Sequence, residues 1–315
     1  MIFIIIPVRN RCSKTLECLR AISTALDAYS HRIVVIDDGS TDQTAEMIRS
    51  TFPEVKIITG DGNLWWGGAV YLGIEYAVKN LADQIVLLND DCRPTPEAWR
   101  SMIDNSSRET EAVFLADIHS NHQPPVRLNS TLVYKKNDSK SDLDELSNAT
   151  GQFVIFTAFT VKQFGLPGKK YCPHYYDGVM FPFWKRQGAK IYRVNGARAT
   201  CEWEAMRALE PYDRLLISPS SLISYFWFCL FHQKSRYKMT TRVSQMCTRH
   251  GLFKGAVFAV VRYTIFGFSS MQSYVIRLAG SGESEFRRRI ELLSDHSLRK
   301  AVLSELRPGT PVTFS

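Results

Sequence analysis

The feature that most constrains this chain is a short apolar run that ends in acidic residues. Residues 85–88 are all apolar, and Asn89, Asp90 and Asp91 follow them directly. An apolar run of this length, bounded by polar turn residues, predicts a buried strand of the parallel type. In open α/β sheets, ligands bind beyond the carboxyl ends of such strands. The sequence therefore predicts an acidic ligand site at one edge of a parallel sheet.

The adjacent carboxylates of Asp90 and Asp91 favour a cation as their partner, because like charges repel each other. Hard oxygen ligands suit Mg²⁺ or Mn²⁺, which usually also hold the phosphates of a substrate. The alternative is that the two acids only open a loop, with Glu97 in the first turn of a helix that starts near Pro94 and Pro96. An acidic pair after a strand is common, so the pair alone does not decide between a metal site and a loop.

Strands and helices alternate along the first part of the chain. The predicted strands are 2–6, 32–36, 55–59 and 85–88, and the helices between them are 15–29, 42–49 and 69–80. Further along, the pattern predicts helices at 98–105 and 178–187 and strands at 112–118 and 151–161, with a polar, lysine-rich loop or flap over 119–150. Strands that alternate with helices of this length indicate βαβ units, so the expected fold class is α/β with a parallel sheet.

A second acidic pair, Asp37 and Asp38, ends the strand at 32–36 and is expected at the same sheet edge as Asp90 and Asp91. Asp38 could accept a hydrogen bond from a base or a ribose hydroxyl, or it could bind backbone amides in the turn before a helix.

The loop at 61–68 is rich in Gly and Trp. It lacks the Lys-Ser/Thr ending of a P-loop, and the first strand is not followed by G-x-G-x-x-G. We expect Trp65 and Trp66 to form either a wall of the pocket or part of the core.

Charge and cysteine content indicate where the protein works. The chain has 39 Lys and Arg against 31 Asp and Glu, and this net charge of +8 suits an anionic lipid surface, nucleic acid or a polyanionic substrate. The seven cysteines are scattered without CxxC spacing, so we expect neither a zinc site nor a disulfide framework, and a reducing cytosolic setting fits. Residues 2–6 are too short for the apolar core of a signal peptide, and none is expected.

Four segments follow one another in the first hundred residues: IFIIIPVRN, VVIDDGSTDQT, GNLWWGGAVYLGIEYA and VLLNDDCRPTPEAW. This combination resembles family two of the inverting glycosyltransferases, and within it the bacterial rhamnosyltransferase-like branch, over roughly residues 2–200. The resemblance implies a GT-A fold, with a mostly parallel sheet flanked by helices and a helical extension at the C-terminus. The resemblance implies a nucleotide-sugar-binding half at 1–118 and an acceptor-binding half at 119–216, and the composition after them predicts a basic, aromatic helical region at 217–315.

The resemblance also implies residues that bind the donor. Pro7 and Arg9 correspond to the loop that lies against the nucleotide, and Asp38 corresponds to the carboxylate that reads the uracil or thymine edge. Asn63 and Gly68 correspond to the segment beside the ribose and the donor sugar.

The metal position implied by the resemblance is Asn89-Asp90-Asp91, which matches the family's D-x-D motif. Asp91 is then the ligand of a divalent metal, Asp90 contributes to donor binding, and Asn89 replaces the first Asp. Tyr71 stands where many relatives carry Asn, which leaves the identity of the donor sugar open.

On the acceptor side the resemblance implies that Asp177 is the catalytic base, although an Asp before a helix is also a common N-cap. Val179 and Phe183 stand where relatives carry a second acid and an Arg. The chain also lacks the histidine that many relatives place near the metal, so Glu202 or Glu204 would have to substitute for it.

From residue 222 onward, aromatic and basic residues are interleaved, as in FWFCLFHQKSRYKMTTR, in 253–268 and in an amphipathic helix expected at 284–306. Such helices suit the headgroup zone of an anionic membrane, whereas a helical subdomain packed on the core or in a homodimer would also explain the apolar faces. The apolar stretches 222–231 and 251–268 are not expected to span a bilayer, which takes about 20 predominantly apolar residues. No nucleic-acid-binding module is recognised, so we expect no nucleic-acid partner.

The resemblance implies an inverting glycosyltransferase of the hexosyltransferase type, which moves a sugar from a UDP- or dTDP-sugar to a hydroxyl of a glycan or lipid-linked glycan in cell-surface polysaccharide assembly. Asp177 would take the proton of the acceptor, and Mn²⁺ or Mg²⁺ on Asp91 would neutralise the departing diphosphate. The expected acceptor is linked to polyprenyl diphosphate, and the expected location is cytoplasmic, peripheral on the cytoplasmic face of the inner membrane.

Two alternatives stay open. One is a degenerate, non-catalytic glycan-binding or scaffold protein, which Val179 and Phe183 favour. The other is a sugar nucleotidyltransferase, whose glycine- and arginine-rich first loop is not found in Pro7-Val8-Arg9-Asn10.

Overall fold

The computed structural model describes residues 1–123, 125–128, 133–135, 142–168, 176–202, 209–232, 238–293 and 295–305. Several parts of the sequence predictions lie outside the described residues. These include Glu204, the lysine-rich run at 136–141, residues 233–237 of the basic, aromatic segment, and the last residue of the helix expected at 284–306.

The strands of the described chain join in a single ten-stranded sheet. They are β1 Ile2–Val8, β2 His31–Asp37, β3 Lys56–Thr59, β4 Gln84–Leu88, β5 Cys92–Pro94, β6 Ala112–Ser120, β7 Val133–Lys135, β8 Leu143–Leu146, β9 Phe153–Thr157 and β10 Lys190–Cys201. Their order in the sheet is β3-β2-β1-β4-β9-β6-β10-β8-β7, and β5 pairs with β10 outside this path.

The structure describes twelve helices, and eight of them lie in the second half of the chain. They are α1 Cys12–Ala25, α2 Thr44–Thr51, α3 Trp65–Lys79, α4 Pro96–Arg108, α5 Ala158–Phe164, α6 Asp177–Arg186, α7 Pro211–Leu215, α8 Leu222–Phe231, α9 Met239–His250, α10 Leu252–Leu278, α11 Gly282–Glu291 and α12 His296–Glu305. The predicted α/β class with a helical C-terminal extension is confirmed.

The parallel part of the sheet consists of β3, β2, β1 and β4. β9 then runs antiparallel to both β4 and β6, and β10 runs antiparallel to β8 and β5. Phe153, at the start of β9, is the register partner of Leu88, at the end of β4. The residues just before β9 therefore lie at the sheet edge where β4 ends.

Some predicted boundaries are wrong. The strand predicted at 151–161 ends at Thr157, because the Thr157 side chain accepts a hydrogen bond from the Thr160 N–H at 3.2 Å and starts α5. The helix predicted at 284–306 is two helices, α11 and α12. The region predicted as a loop over 119–150 contains the short strands β7 and β8.

The core consists of two layers, one on each face of the sheet. In β1, Ile2, Ile4 and Ile6 belong to one buried cluster, and Phe3 and Ile5 belong to the other. Successive side chains of a strand point to opposite faces, so a central strand covered on both sides reads as a continuous apolar run. The first cluster includes residues of α1 and α4, and the second includes residues of α3, α5 and α6.

By its internal contacts the chain divides into two compact units, one of residues 1–119 and 127–202 and the other of residues 120–126 and 203–315. The second unit has a small apolar cluster of its own, formed by Leu215, Tyr225, Cys229 and Phe266. The division into donor, acceptor and membrane-facing parts stays a prediction.

Within the second unit, α10 is longer than the apolar stretch seen in the sequence, because the helix continues to Leu278. Over its most apolar 18 residues the mean hydropathy is 1.3, and only 17% of that window is buried. By length and composition alone, α10 therefore meets the requirements of a membrane-crossing helix, contrary to the expectation from 251–268.

Candidate active site

A pocket of about 320 Å³ lies where β1, β2 and β4 end. Its lining residues are Pro7, Val8, Arg9, Arg11, Asp38, Trp65, Trp66, Ala69, Asn89, Asp90 and Asp91. Five of the residues proposed from the sequence thus come together here, namely Pro7, Arg9, Asp38, Asp90 and Asp91. Both tryptophans form part of the pocket wall.

The convergence of the two acidic pairs follows from the strand register. Val8, at the end of β1, pairs with Asp37, at the end of β2, and the Asp38 N–H donates to the Val8 carbonyl at 3.0 Å. β4 lies parallel to β1 on its other side, with Leu87 opposite Ile5. The segments that leave the three strands therefore emerge at one edge.

Asp38 holds the N-terminus of α3 against the pocket. Its Oδ1 accepts from the Leu64 N–H at 3.0 Å, and its Oδ2 accepts from the Trp65 N–H at 2.8 Å. The Asp38 side chain is almost fully buried, and the Arg9 guanidinium lies 3.7 Å from Oδ2. Asp38 thus binds backbone amides, one of the two roles expected from the sequence. Each carboxylate oxygen can accept a second hydrogen bond, so a ligand contact remains available.

The loop that carries these amides requires glycine at Gly60. A Cβ there would lie 2.4 Å from Leu64 Cδ1 and 2.8 Å from Asp38 Oδ1. The Arg9 guanidinium donates to the carbonyl of Gly62 in the same loop. Together these contacts fix the loop between β3 and α3 close to the Asp38 carboxylate.

Two of the donor-binding residues proposed from the sequence do not line the pocket. Asn63 is exposed, and its N–H donates to Asp61 Oδ1 at 2.9 Å. Gly68 is buried in the first turn of α3, where a Cβ would lie 3.3 Å from Leu64 Cβ. Because α3 begins at Trp65 rather than near Ala69, Gly68 faces the preceding turn, and Ala69 takes the place on the pocket wall. The roles given to Asn63 and Gly68 stay predictions.

Arg11 is the residue of this pocket that sequence reasoning missed. Its Nε donates to Asp90 Oδ2 at 2.8 Å, and one of its terminal nitrogens donates to Asp91 Oδ2 at 3.0 Å. Thr15 Oγ1 lies 3.2 Å from the same Asp90 oxygen. Burial raises the pKa of Asp90 to about 6, and the Arg11 guanidinium opposes this shift. The positive charge of Arg11 thus already forms ion pairs with the carboxylates of both Asp90 and Asp91.

Asp177 lies outside the pocket lining but is connected to it through Trp66. The Trp66 Nε1–H donates to Asn89 Oδ1 at 2.9 Å. The far edge of the indole covers Gly151, where a Cβ would lie 2.2 Å from the ring. The Gly151 N–H in turn donates to Asp177 Oδ2 at 3.1 Å, and the Gly178 N–H donates to Asp177 Oδ1 at 2.8 Å.

The acceptor-side departures from the family pattern have structural counterparts. Val179 is buried in the core layer over α3 and α6, and Phe183 packs against the same layer. The Glu202 N–H donates to the Asp91 carbonyl at 3.2 Å, so Glu202 lies beside the proposed metal ligand. Its carboxylate forms an ion pair with Lys14.

The donor atoms of the pocket fit a hard divalent cation only in part. Among the residues that the structure describes, no three His, Cys, Asp or Glu side chains are grouped closely enough to hold a metal ion. Asp91 offers carboxylate oxygens of the right type, and its side chain is 21% exposed, whereas Asp90 is nearly closed off. An ion at Asp91 would therefore take most of its ligands from diphosphate and water, and it would compete with Arg11.

The chain belongs to glycosyl transferase family 2, which matches residues 3–164. The matched region contains every residue of the pocket and all four parallel strands except Ile2, the first residue of β1.

A 4,4'-diaponeurosporenoate glycosyltransferase from Staphylococcus haemolyticus (strain JCSC1435) is 27% identical over 167 residues, which are 51% of this chain and 43% of that protein. The chain thus spans less than half the length of this curated relative.

Solved structures with a similar fold include two of S. aureus TarS. TarS 1–349 in complex with UDP-GlcNAc matches with a TM-score of 0.51 and 13% identity, over 89% of this chain and 92% of that chain. A longer TarS structure matches with a TM-score of 0.50 and 11% identity, over 88% of this chain and 54% of that chain. At these identities the likeness shows the fold, which is GT-A-like.

Proposed function

We propose that the protein is an inverting glycosyltransferase that transfers a sugar from a UDP- or dTDP-sugar to a hydroxyl of a glycan or lipid-linked glycan. The observation that carries the proposal is that Asp38, Asp90 and Asp91 line one pocket at the carboxyl edge of the sheet, in a chain of glycosyl transferase family 2. We further propose that it belongs to the rhamnosyltransferase-like branch and acts in the assembly of cell-surface polysaccharide.

The pocket supplies the groups that a nucleoside diphosphate needs. Arg9 and Arg11 bring two guanidinium groups to it, and guanidinium binds phosphate oxygens in a bidentate manner. Trp65 and Trp66 give it flat apolar walls, while Asp38 keeps free lone pairs for a donor group of the base. A divalent ion bound at Asp91 would help to neutralise the charge that develops on the leaving diphosphate.

Asp177 is the proposed general base for the acceptor hydroxyl. Two backbone N–H groups, from Gly151 and Gly178, hold its carboxylate and stabilise its negative charge. The edge of the Trp66 ring, which lines the pocket, packs on the same Gly151 whose N–H binds Asp177. The proposed base and the donor pocket are therefore supported by one segment of the chain. In the proposed reaction the acceptor oxygen attacks the anomeric carbon from the side opposite the leaving diphosphate, so no covalent enzyme intermediate is needed.

A second candidate function is a non-catalytic glycan-binding or scaffold protein. The observation that favours it is the apolar packing of Val179 and Phe183, at positions where the family resemblance implies charged side chains. Such a protein would bind a nucleotide sugar or a glycan without turning it over.

Slow hydrolysis of donor sugars separates these proposals. Purified protein with Mn²⁺ is incubated with a panel of UDP-, dTDP- and GDP-sugars, and the released nucleoside diphosphate is measured. We expect one UDP- or dTDP-sugar to be cleaved, Asp91→Asn to abolish cleavage, and Asp177→Asn to bind nucleotide without transfer. Asp104→Asn, at an exposed position on α4, is the matched control and should behave like the wild type.

Two outcomes contradict the assignment. Equal hydrolysis by wild type and Asp91→Asn means that Asp91 is not the metal ligand. Nucleotide-sugar binding without any turnover, in the wild type as in the variants, supports the non-catalytic alternative.

A further inference from the structure

The outward side of α10 carries a long apolar stripe. Its members recur at intervals of three, four, seven or eight residues, so they share one face of the helix. Phe253, Val257, Val260, Phe268, Val275 and Leu278 lie on it and are between 47% and 82% exposed. From the first to the last of these residues the stripe is about 37 Å long.

The charged residues at the middle and end of α10 are engaged on its other side. Arg262 lies 3.6 Å from a Glu210 oxygen, and Arg277 donates to the Ser220 carbonyl at 2.7 Å. The exposed face of a helix in water normally carries charged side chains. On α10 that face is uncharged from Val257 to Leu278, which indicates that it does not face water.

A second exposed stripe lies on α8, which packs against α10 through the rings of Phe226 and Phe266, 5.5 Å apart. Ile223, Trp227 and Phe231 recur every four residues along α8 and are 84%, 60% and 57% exposed. Exposed apolar surface of this extent on a folded chain marks an interaction site, and tryptophan is typical of the membrane–water boundary.

The charge around these helices identifies the partner. Residues 214–282 contain nine Lys and Arg and not one Asp or Glu. A second copy of the chain would bring the same positive segment to the interface and be repelled. A bilayer with anionic headgroups offers both the apolar interior and the opposite charge.

The internal contacts of α10 indicate how it would meet the bilayer. Gly255 sits so close to α9 that a Cβ there would lie 2.4 Å from Cys247 Cα, and Phe266 is buried against α8. One side of the helix is thus held by its own unit along its length. Only the opposite side is available to lipid, which fits a helix that lies in the plane of the membrane surface.

We propose that α8 and α10 form a lipid-binding surface that inserts its exposed apolar side chains into the headgroup and outer acyl region of an anionic bilayer. This surface deepens the proposed function, since it would place the enzyme beside a lipid-linked acceptor. It does not depend on the donor chemistry.

Vesicle sedimentation tests the proposal. The full chain is mixed with vesicles of phosphatidylcholine and phosphatidylglycerol, or of phosphatidylcholine alone. We expect the wild type to sediment with the anionic vesicles. Phe268→Ser should weaken partitioning about tenfold, which corresponds to about 1.4 kcal/mol, because the variant loses an apolar side chain that would be buried in the bilayer. Phe268→Glu should weaken it further. Ser284→Glu adds the same charge at an exposed position on α11 and is the matched control, with less than a twofold effect.

Donor-sugar hydrolysis in the same preparations, measured without vesicles, should be equal in all these proteins and shows that each is folded. Its failure in the wild type would count against the transferase proposal alone. The lipid surface is overturned if Phe268→Ser and Phe268→Glu sediment like the wild type. It is equally overturned if the wild type does not sediment with anionic vesicles, and a dimer that Phe268→Ser dissociates would then show that a second copy covers the stripe.

Discussion

At the scale of single residues, the most informative contact is the one that Arg11 makes with Asp90 and Asp91. The guanidinium is a cation that belongs to the protein and already neutralises the proposed ion ligand. When a diphosphate enters the pocket, it offers Arg11 a new partner and so releases Asp91. Binding of donor and binding of a divalent ion should therefore favour each other.

The first prediction concerns this competition. Arg11→Gln should bind Mn²⁺ in the absence of nucleotide roughly fivefold to tenfold more tightly than the wild type, because an opposing ion pair of about 1 kcal/mol is removed. Free Mn²⁺ can be measured by electron paramagnetic resonance during a titration.

Arg9→Gln is the control for Arg11→Gln. It removes a guanidinium from the same pocket, but Arg9 contacts Gly62 and Asp38 rather than the acidic pair. It should leave the affinity for Mn²⁺ alone unchanged. Equal affinity in wild type and Arg11→Gln would show that Arg11 does not compete with the ion.

The sequence could place Asp38 and Asp91 in one pocket because parallel strands end at a common edge. It could not place Arg11, because strand and helix periodicity does not fix the direction of a side chain in the loop between them. The motif resemblance implies a donor contact for Gly68, which stays a prediction. The structure places Gly68 against Leu64, because α3 starts four residues earlier than expected.

At the scale of elements, the contact between α3 and the start of β9 joins the two sides of the site. The Trp66 ring at the start of α3 lies directly on Gly151, whose N–H binds Asp177 at the start of α6. The space for an indole exists only because residue 151 has no side chain. The packing of α3, of the segment before β9 and of the start of α6 therefore depends on Gly151.

The second prediction is that Gly151→Ala lowers the free energy of unfolding by about 1–3 kcal/mol, the usual cost of overpacking, and also lowers the rate of sugar transfer. The added methyl group forces the Trp66 ring away and disturbs the Gly151–Asp177 hydrogen bond. Denaturant unfolding and donor turnover measure the two effects.

Gly168→Ala provides the comparison for Gly151→Ala, since a Cβ at Gly168 meets no atom of the described residues within 4 Å. It should change stability by less than about 0.5 kcal/mol, as surface substitutions do. If Gly151→Ala is as harmless as Gly168→Ala, the close packing of Trp66 on this segment is not required.

The alternation of strands and helices in the first ninety residues was predictable, because each element there has its own clear period. The direction of β9 was not predictable, because a buried strand has the same apolar sequence pattern in a parallel and in an antiparallel pair. Nor was the length of α10, since Lys254 and Arg262 interrupt the apolar run in the sequence while the helix continues past both.

At the scale of the whole molecule, charge is distributed unevenly along the chain. Residues 203–315 contain sixteen Lys and Arg against eight Asp and Glu, a net charge of +8, which is the net charge of the entire protein. Residues 1–202 contain equal numbers of both signs. The part with the candidate active-site pocket is thus neutral, and the part with the apolar stripes carries the excess positive charge.

The third prediction follows from this separation. Vesicle binding by the full chain should weaken as salt is raised, because exposed charges are screened within about 8 Å at physiological ionic strength. A chain that ends at Glu202 keeps the sheet and both core layers, so it should still show a thermal shift with UDP but should not sediment with anionic vesicles. Sedimentation of that shorter chain would place lipid binding elsewhere.

The hydrogen bond from Trp66 to Asn89 has one more consequence. An aspartate at position 89 would bring a third negative charge to the end of β4, where the Arg11 guanidinium already faces two carboxylates. With an amide there, Asp90 and Asp91 share one arginine, and the indole nitrogen has a neutral acceptor. The enzyme without substrate is therefore expected to stay folded in a chelating buffer, so that a divalent ion is needed for turnover but not for folding.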